Sequence, residues 1–582
     1  MVMIQGAKGT IAIYLCSEHG KMCDFIDLES MRDMLLHEKD VIDVLIHHEL
    51  CAVEEIAKIV ERYREHKPDR VLLGCCQTAT SERLRESLIE AGLNKYLYER
   101  VNLKELCMLA HTDRETGTRK AKSLLLSGLA RLRAGKPLDD IIMPIRDSVL
   151  VIGGGIAGMA SANAIADEGF KVYLVEKENR LGGRAYMLSN TFPTHECGIC
   201  CMRYCKECVL TPKIPEITTH PNIEVMLNSN VKQISGRFGE RHIVVESNGE
   251  MKEFDVGIII VATGSKTFDP ISLPEYNYDR LEDVVNSMEF CDIMAKASTT
   301  NFRRPSDGKI PKVVNFVLCV GSRDCHRANN YCSIVCCTYA IGSAKEIKLA
   351  HPEAEVYVHF IDLRGPYRGF ENLLLEARGA GVIFVRGRVA EIIDDDGEIL
   401  LRVEDADAGE ILNIHSDLVV LVVGQEPSFG SEELVKMLRL QVDIDGFMKD
   451  FNPMYPEEIK KGIYVVGCAQ GPKGIRYSID DAKKTALEVI HLLKEGEISI
   501  DNLVSEVNER TCRGCGQCVE NCPFEAVVLV EKGDRRVASV DEMICEGCGI
   551  CSVVCCNKSM AMRHYTRASL LSQVRSVIKE IS

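Results

Sequence analysis

The sequence predicts an α/β protein of several domains with a small α+β module near its C-terminus, and three observations carry that prediction. Ser148 to Lys177 (SVLVIGGGIAGMASANAIADEGFKVYLVEK) reads as strand, helix and strand around Gly153, Gly155 and Gly158. Val313 to Val320 (VVNFVLCV) opens a second strand-to-helix unit whose turn carries cysteines where glycines would be expected. Between residues 499 and 565 the run Cys512, Cys515, Cys518, Cys522 recurs as Cys545, Cys548, Cys551, Cys555.

The first unit is a G-x-G-x-x-G fingerprint in its full βαβ setting. The three glycines serve a tight turn, close approach of a pyrophosphate to the backbone, and close helix-to-strand packing, while the helix N-terminus offers unpaired N–H groups. Glu176, at the end of the second strand, is placed to accept the ribose hydroxyls of an adenosine. A bare glycine turn is the bland reading. Strand, helix, second strand and acid in sequence favour dinucleotide binding.

A chain of 582 residues is long enough for about three to five domains. With 70 basic against 86 acidic residues the net charge is −16, which excludes polyanions such as nucleic acid as favoured partners. No apolar run reaches the roughly 18–20 residues of a membrane span, and MVMIQGAKGT does not open like a signal peptide, so the expectation is a cytoplasmic protein with no membrane span. In that compartment 27 cysteines point to metal or iron–sulfur ligation, not to disulfides.

Residues 1–135 read as a small α/β domain, with strands at Thr10 to Leu15 and Arg70 to Leu73 and helices near 52–66, 81–91 and 119–133. Cys16 and Cys75 follow strands, and Cys51 and Cys107 lie near element ends, so the four converge on one cluster or else are packed as small hydrophobes. Residues 134–147 form a linker. The first part of a cofactor-binding domain then runs over 147–310 and its second part over 421–497, on either side of a modified dinucleotide-like domain at 311–420.

Beyond Glu176, the glycine turn Gly182-Gly183-Arg184 lets backbone lie against a pyrophosphate and flavin. Asp255 to Gly264 reads as a buried strand ending in Ala262-Thr263-Gly264, and Lys461 to Ala469 as a late strand with the turn Gly467-Cys468-Ala469, followed by a helix from about Ser478. A dinucleotide fold closed by a far C-terminal strand resembles the thioredoxin reductase-like flavoprotein fold, over roughly residues 147–495. The resemblance implies FAD at the first site, bound at Gly153, Gly155, Gly158 and Glu176 and along the other turns.

In that fold the middle domain has its own glycine fingerprint for a nicotinamide cofactor. Here Val313 to Val320 runs into Gly321-Ser322-Arg323-Asp324-Cys325 and no fingerprint follows. Cys319, Cys332, Cys336 and Cys337 stand there instead, four soft thiolates suited to a [4Fe–4S] cluster; Cys325 in place of one of them, or thiols that are only packed, are the competing readings. Adjacent Cys336 and Cys337 point about 100° apart in a regular helix, so they are expected at a helix start or an irregular turn.

CVGSRD…YCSIVCC at 319–337, Cys205-x-x-Cys208 before VLTPKIPEI, GCAQGPKGI at 467–475, GCCQTATSERLRESLIEAGLNKYLYE and AHTDRE together resemble the A-type subunits of heterodisulfide reductase, iron–sulfur flavoproteins, and their wider family. The resemblance implies an FAD-containing, cluster-rich electron-transfer oxidoreductase subunit, in many members the site of flavin-based electron bifurcation. It implies other subunits of such a complex, a hydrogenase, formate dehydrogenase or other electron donor, and ferredoxin as partners, with a homodimer inside the larger complex. It also favours a cluster on the N-terminal cysteines, helped by Cys205 and Cys208.

The chain departs from that pattern twice. Many members carry an inserted ferredoxin module after the TPK segment, whereas here His220-Pro221-Asn222 runs straight on. Conversely Cys197, Cys200 and Cys201 precede Cys205 and Cys208; a zinc site is one reading, though the four residues between pairs are few for a zinc ribbon, and iron–sulfur ligation is preferred.

The doubled C-x2-C-x2-C-x3-C of residues 499–565 is the two-cluster ferredoxin pattern, in which the fourth cysteine of each run serves the other cluster. One cluster takes Cys512, Cys515, Cys518 and Cys555, the other Cys545, Cys548, Cys551 and Cys522, with Cys556 where proline is usual. Residues 566–582 read as an amphipathic helix. No hydrolytic triad is present, and no redox C-x-x-C stands in the place where a disulfide reductase of this fold would need it. Lys473, in the turn after Gly471 and Pro472, either lies near the flavin and favours its anionic form or is a surface turn lysine. Two functions remain: a flavin branch point that splits electron pairs, and a one-way conduit to a quinone-linked or acyl-CoA-reducing partner.

Overall fold

Strand sequences without polar alternation, such as IAIYLC and RVLLGC, are buried on both faces, as parallel sheets require. In the computed structural model, which describes residues 9–76, 79–188, 214–297, 301–365, 368–449 and 462–581, they sit at the centre of a four-stranded parallel sheet. Its order is Val41–His47, Ile11–Cys16, Arg70–Cys75, Tyr98–Asn102. Helices Leu28–Leu36 and Arg114–Ala134 contribute to one buried cluster, and Val53–His66 and Ala79–Glu90 to the other. The chain divides into two compact units, and Met1–Ile142 shares the first with Ser499–Ser582.

Within that unit the C-terminal residues form two small antiparallel pairs, Ser505–Val507 with Met560–Met562 and Val527–Lys532 with Arg535–Val540. The terminal helix Arg567–Ile581 packs along Arg114–Ala134, where the Ser572 hydroxyl donates to Ala130 O at 3.5 Å.

The second unit, Met143–Ile498, holds two sheets of one design. The first is parallel in the order Ile463–Val465, Ile258–Val261, Ser148–Ile152, Lys171–Val175, Ile223–Met226, accompanied by the antiparallel strands Ser229–Arg237, Glu240–Ser247 and Glu250–Val256. The second is parallel in the order Val284–Asn286, Leu418–Val423, Val313–Val320, Glu355–Phe360, Ile383–Arg386, accompanied by Val389–Asp395, Glu398–Asp405 and Glu410–Ser416. The two crossings between the halves, Ser265–Thr267 and Gln425–Pro427, pair antiparallel with each other.

One expected strand is corrected: Asp255 to Gly264 is not continuous. The chain leaves the antiparallel sheet at Val256 and enters the parallel sheet at Ile258. Gly257 makes that change, since a Cβ there would stand 2.2 Å from the Arg146 carbonyl oxygen. The strands Val41–His47 and Tyr98–Asn102 and the helix Leu28–Leu36 were not expected from the sequence. Among the described residues no helix is long and apolar enough to cross a membrane.

Arg70 ties the N-terminal sheet to its longest helix. It is 3% exposed, and its guanidinium donates to Leu132 O at 2.9 Å and Gly135 O at 3.3 Å, satisfying carbonyls that a helix end leaves open. Replacing it leaves the buried Gly135 O without its donor and Leu132 O with only the Gly135 N–H at 3.2 Å, so Arg70→Ala is expected to lower stability by about 2–3 kcal/mol. Denaturant unfolding followed by helical circular dichroism checks this, and a loss within about 0.5 kcal/mol would refute it.

Candidate flavin and iron–sulfur sites

The Gly153–Gly155 turn leads from strand Ser148–Ile152 into helix Ile156–Asp167, whose N-terminus opens on a cleft of about 1320 Å³. Two of its glycines differ in what surrounds them. A Cβ on Gly155 would meet no protein atom within 4 Å, because that side faces the cleft; one on Gly158 would stand 1.8 Å from Gly153 O, because there helix and turn touch. Glu176, 7% exposed, lines the cleft, and its carboxylate accepts from Gly154 N–H at 2.6 Å and Glu178 N–H at 2.9 Å. It is thereby oriented, with lone pairs left for a ribose.

Gly182, Gly183, Arg184, Thr263 and Gly264 also line the cleft. Burial lowers the Arg184 pKa, with the Cys468 thiol acting the other way as a hydrogen-bond partner; Arg184 also donates to the Ser265 hydroxyl. Cys468 lies in the wall, whereas Gly467 and Ala469 stand behind it and shape the turn, Gly467 at φ 65°. Thr263 Oγ1 is buried in the wall with no protein partner, and so is Ser428 Oγ, which nothing in the sequence marked. Unpaired polar atoms in a wall shared by two helix N-termini, those of Ile156–Asp167 and Ile475–Glu495, fit a large phosphate-containing ligand such as FAD.

Lys473 lines the same cleft, held by Asp481 at 2.8 Å and by Gln470. Asp481 in turn accepts from Gly467 N–H at 2.9 Å, so the lysine is fixed to the glycine turn through a carboxylate.

The opposite wall comes from the second half of this unit: Ser287, Met288, Cys291, Ile334, Cys336 and Tyr339. Cys319 sits in an irregularity of strand Val313–Val320 at φ 62°, and Cys336 and Cys337 are the first two residues of helix Cys336–Ala350. Ile334, at φ 65°, donates its N–H to Cys332 Sγ at 3.3 Å. Cys319, Cys332 and Cys337 all lie near Cys336. Burial first, then these neighbouring thiols, push Cys336 well up, and Cys337 is pushed up to about 11. Cys325 is exposed and does not contribute to these shifts.

In the C-terminal module Cys512, Cys515, Cys518, Cys555 and Cys556 line one small cavity. Backbone N–H groups point at four of these sulfurs: Ala538 to Cys512 at 3.4 Å, Ala526 to Cys522 at 3.3 Å, Ser505 to Cys545 at 3.4 Å and Ser559 to Cys555 at 3.2 Å. Cys551 has Cys545 and Cys548 as neighbours and accepts from or donates to the Ser505 hydroxyl at 3.0 Å. Such N–H groups suit thiolate sulfur around a cluster's charge. No group of three or more His, Cys, Asp or Glu among the described residues is gathered tightly enough for a single metal ion.

The N-terminal cysteines divide. Cys16 and Cys75 project from neighbouring strands into one buried face, with Cys51 and Cys76 beside them. Cys107 packs with Leu15, Leu72 and Leu125 on the opposite face, so the expected four do not meet, and Cys76 stands where Cys107 was expected. Alternation along a strand is the reason: Leu15 and Cys16 face opposite ways. The doubled Cys75-Cys76 was the available signal. Cys197, Cys200, Cys201, Cys205 and Cys208 lie outside the described residues.

Residues 147–321 match the family described as pyridine nucleotide-disulphide oxidoreductase, and residues 505–528 the 4Fe-4S binding domain. The chain is 31% identical to the A-type iron-sulfur subunit of CoB--CoM heterodisulfide reductase from Methanocaldococcus jannaschii, over 98% of this chain and 98% of that protein. It belongs to the family of heterodisulfide reductase A-type subunits. One of the corresponding subunits of Methanopyrus kandleri is 32% identical over 98% of each chain. Among solved structures, thioredoxin reductase of T. acidophilum aligns with a TM-score of 0.40 and 17% identity, covering 60% of this chain and 99% of that one.

The protein is therefore an oxidoreductase of this family, an electron-transfer subunit with FAD and [4Fe–4S] clusters as cofactors. The surroundings of Gly155 and Gly158 give a paired test. Gly155→Ala is expected to fold within about 0.5 kcal/mol of wild type yet bind FAD at least about tenfold more weakly, whereas Gly158→Ala loses stability itself. Flavin titration of the apoprotein alongside thermal unfolding separates the two effects; unchanged FAD affinity in Gly155→Ala would exclude this approach route.

Proposed function

We propose that the chain is a flavin branch point passing electrons between a hydrogenase or dehydrogenase partner, ferredoxin and a reductase partner, with the cluster of Cys319, Cys332, Cys336 and Cys337 as first relay. One observation carries this: Cys336 lines the same cleft as Gly153, Gly155 and Glu176. FAD, when bound, supplies exchange between two-electron and one-electron carriers. The protein's part is to orient and enclose. Glu176 and the glycine turn hold the adenosine end, Arg184 sets a half-buried guanidinium in the wall, and Lys473 is kept by Asp481 at the helix start.

Replacing the nicotinamide fingerprint with thiols makes the second half of the unit a route for electrons. Its loop, residues 321–335, is fastened by Tyr331 hydroxyl to Gln425 O at 2.8 Å, by Ser333 hydroxyl accepting from Gln425 N–H at 2.8 Å, and by Asn329 donating to Gly321 O at 3.0 Å. A fixed loop limits ligand reorganisation when charge changes. The ferredoxin module, with clusters on Cys512, Cys515, Cys518, Cys555 and on Cys545, Cys548, Cys551, Cys522, supplies further one-electron carriers. Cys16, Cys51 and Cys75, now with Cys76, are the candidate ligands of a fourth cluster. Relatives whose name is that of an H(2):CoB-CoM heterodisulfide,ferredoxin reductase support hydrogen and ferredoxin at the two ends of such a path.

A one-way conduit is favoured by one feature. Helix Ile214–Thr219 leads directly into strand Ile223–Met226, with no inserted module between them. A potentiometric titration of the flavin decides between the readings. A branch point is expected to show a single two-electron transition, and two well-separated one-electron steps would leave only the conduit.

The relay itself is tested by Cys332→Ala. This variant is expected to keep its FAD, lose one cluster's worth of iron, and reoxidise its flavin at least about tenfold more slowly, a barrier increase of roughly 1.4 kcal/mol. Stopped-flow absorbance with iron analysis measures both, and wild-type reoxidation would move the first relay elsewhere.

A further inference from the structure

The cavity of the first C-terminal cluster is lined by one cysteine more than a [4Fe–4S] cluster uses. Cys512, Cys515, Cys518 and Cys555 are the four expected ligands, and Cys556 lines the same cavity. The helix Ile550–Val554 has ended before this pair, so the constraint that separates adjacent side chains on a helix does not apply. Cys555 to Lys558 instead form a turn, in which Lys558 N–H donates to Cys555 O at 3.0 Å and Lys558 takes φ 56°. Cys556 occupies the second position of the turn. Proline favours that position because its ring presets φ, and a cysteine can hold the same backbone while bringing a thiol.

The turn is anchored beside the other ligands: the Asn557 side-chain amide donates to Thr511 O at 3.1 Å, next to Cys512. The two thiols differ in their surroundings. Cys555 accepts the Ser559 N–H at 3.2 Å, while Cys556 is exposed.

We propose that Cys556 is a reserve ligand, able to replace Cys555 on the same iron of this cluster. The proposal rests on the reading of Cys512, Cys515, Cys518 and Cys555 as ligands. In the exchange one Fe–S(Cys555) bond breaks and one Fe–S(Cys556) bond forms, and the Cys556 thiol proton passes to Cys555. No electron is transferred, and the charge of the ligand set is unchanged. What changes is the hydrogen bonding to the ligating sulfur. Cys556 ligation gives up the Ser559 N–H, and a cluster with fewer donors to its sulfurs is harder to reduce. The exchange thus gives one cluster two reduction potentials, the lower with Cys556.

The test uses the full-length protein with iron analysis and an EPR-monitored redox titration. Cys555→Ala is expected to keep wild-type iron content with one cluster shifted to a more negative potential. The double variant Cys555→Ala/Cys556→Ala is expected to lose one cluster's worth of iron, and Cys556→Ala alone to lose none. Loss of a cluster in Cys555→Ala, or failure of that variant to fold, would overturn the proposal, since metal binding and folding are coupled in such modules. Full iron in the double variant would overturn it as well. Cys512→Ala is the control: if it retains full iron, the ligand assignment itself fails, an outcome distinct from failure of the reserve ligand.

Discussion

A parallel sheet delivers every turn that follows a strand to the same edge, and this protein places its chemistry at that edge three times. In the first sheet of Met143–Ile498, Gly153, Thr263 and Cys468 follow the ends of Ser148–Ile152, Ile258–Val261 and Ile463–Val465. In the second, Cys319 lies at the end of Val313–Val320 and Gln425 just beyond Leu418–Val423. In the N-terminal sheet Cys16 and Cys75 end neighbouring strands. All the strands of a sheet run one way, so residues far apart in sequence arrive together without a dedicated scaffold.

The same architecture serves phosphate in one half and thiolate in the other because only the connection differs. Residues 153–155 turn tightly, and the helix start is left open to an anion. Residues 321–335 form a longer loop with left-handed backbone at Gly321, Arg323 and Ile334, which brings sulfur to the helix start. Both solutions use the partial positive charge of a helix N-terminus. Residues of both halves line the one cleft, so the thiols of the second half and the glycine turn of the first open on a common space.

The cysteine sites show what spacing can and cannot tell. In the ferredoxin module Cys555 lies beside Cys512, Cys515 and Cys518 although it belongs to the second run, because the two short helices Gln517–Glu520 and Ile550–Val554 pack on each other. In the N-terminal domain no repeated spacing exists, and proximity to strand ends was a poor guide. Cys107 lies near the end of an element, as Cys16 does, yet it belongs to the other face of the sheet.

By itself the sequence determined the elements with strong local causes: the βαβ unit around Gly153, the strand Val313–Val320, the helix start at Cys336, and the doubled cysteine run. Glycine needs, apolar runs and ligand spacing are properties of neighbouring residues, so they are written locally. Only the tertiary structure decided that Cys336 shares a cleft with Glu176, that Ser428 and Cys291 line it too, and that Cys76 stands where Cys107 was expected. Those facts depend on which face a strand presents and on how two sheets are joined by Ser265–Thr267 and Gln425–Pro427, distances in space that no short window of sequence contains.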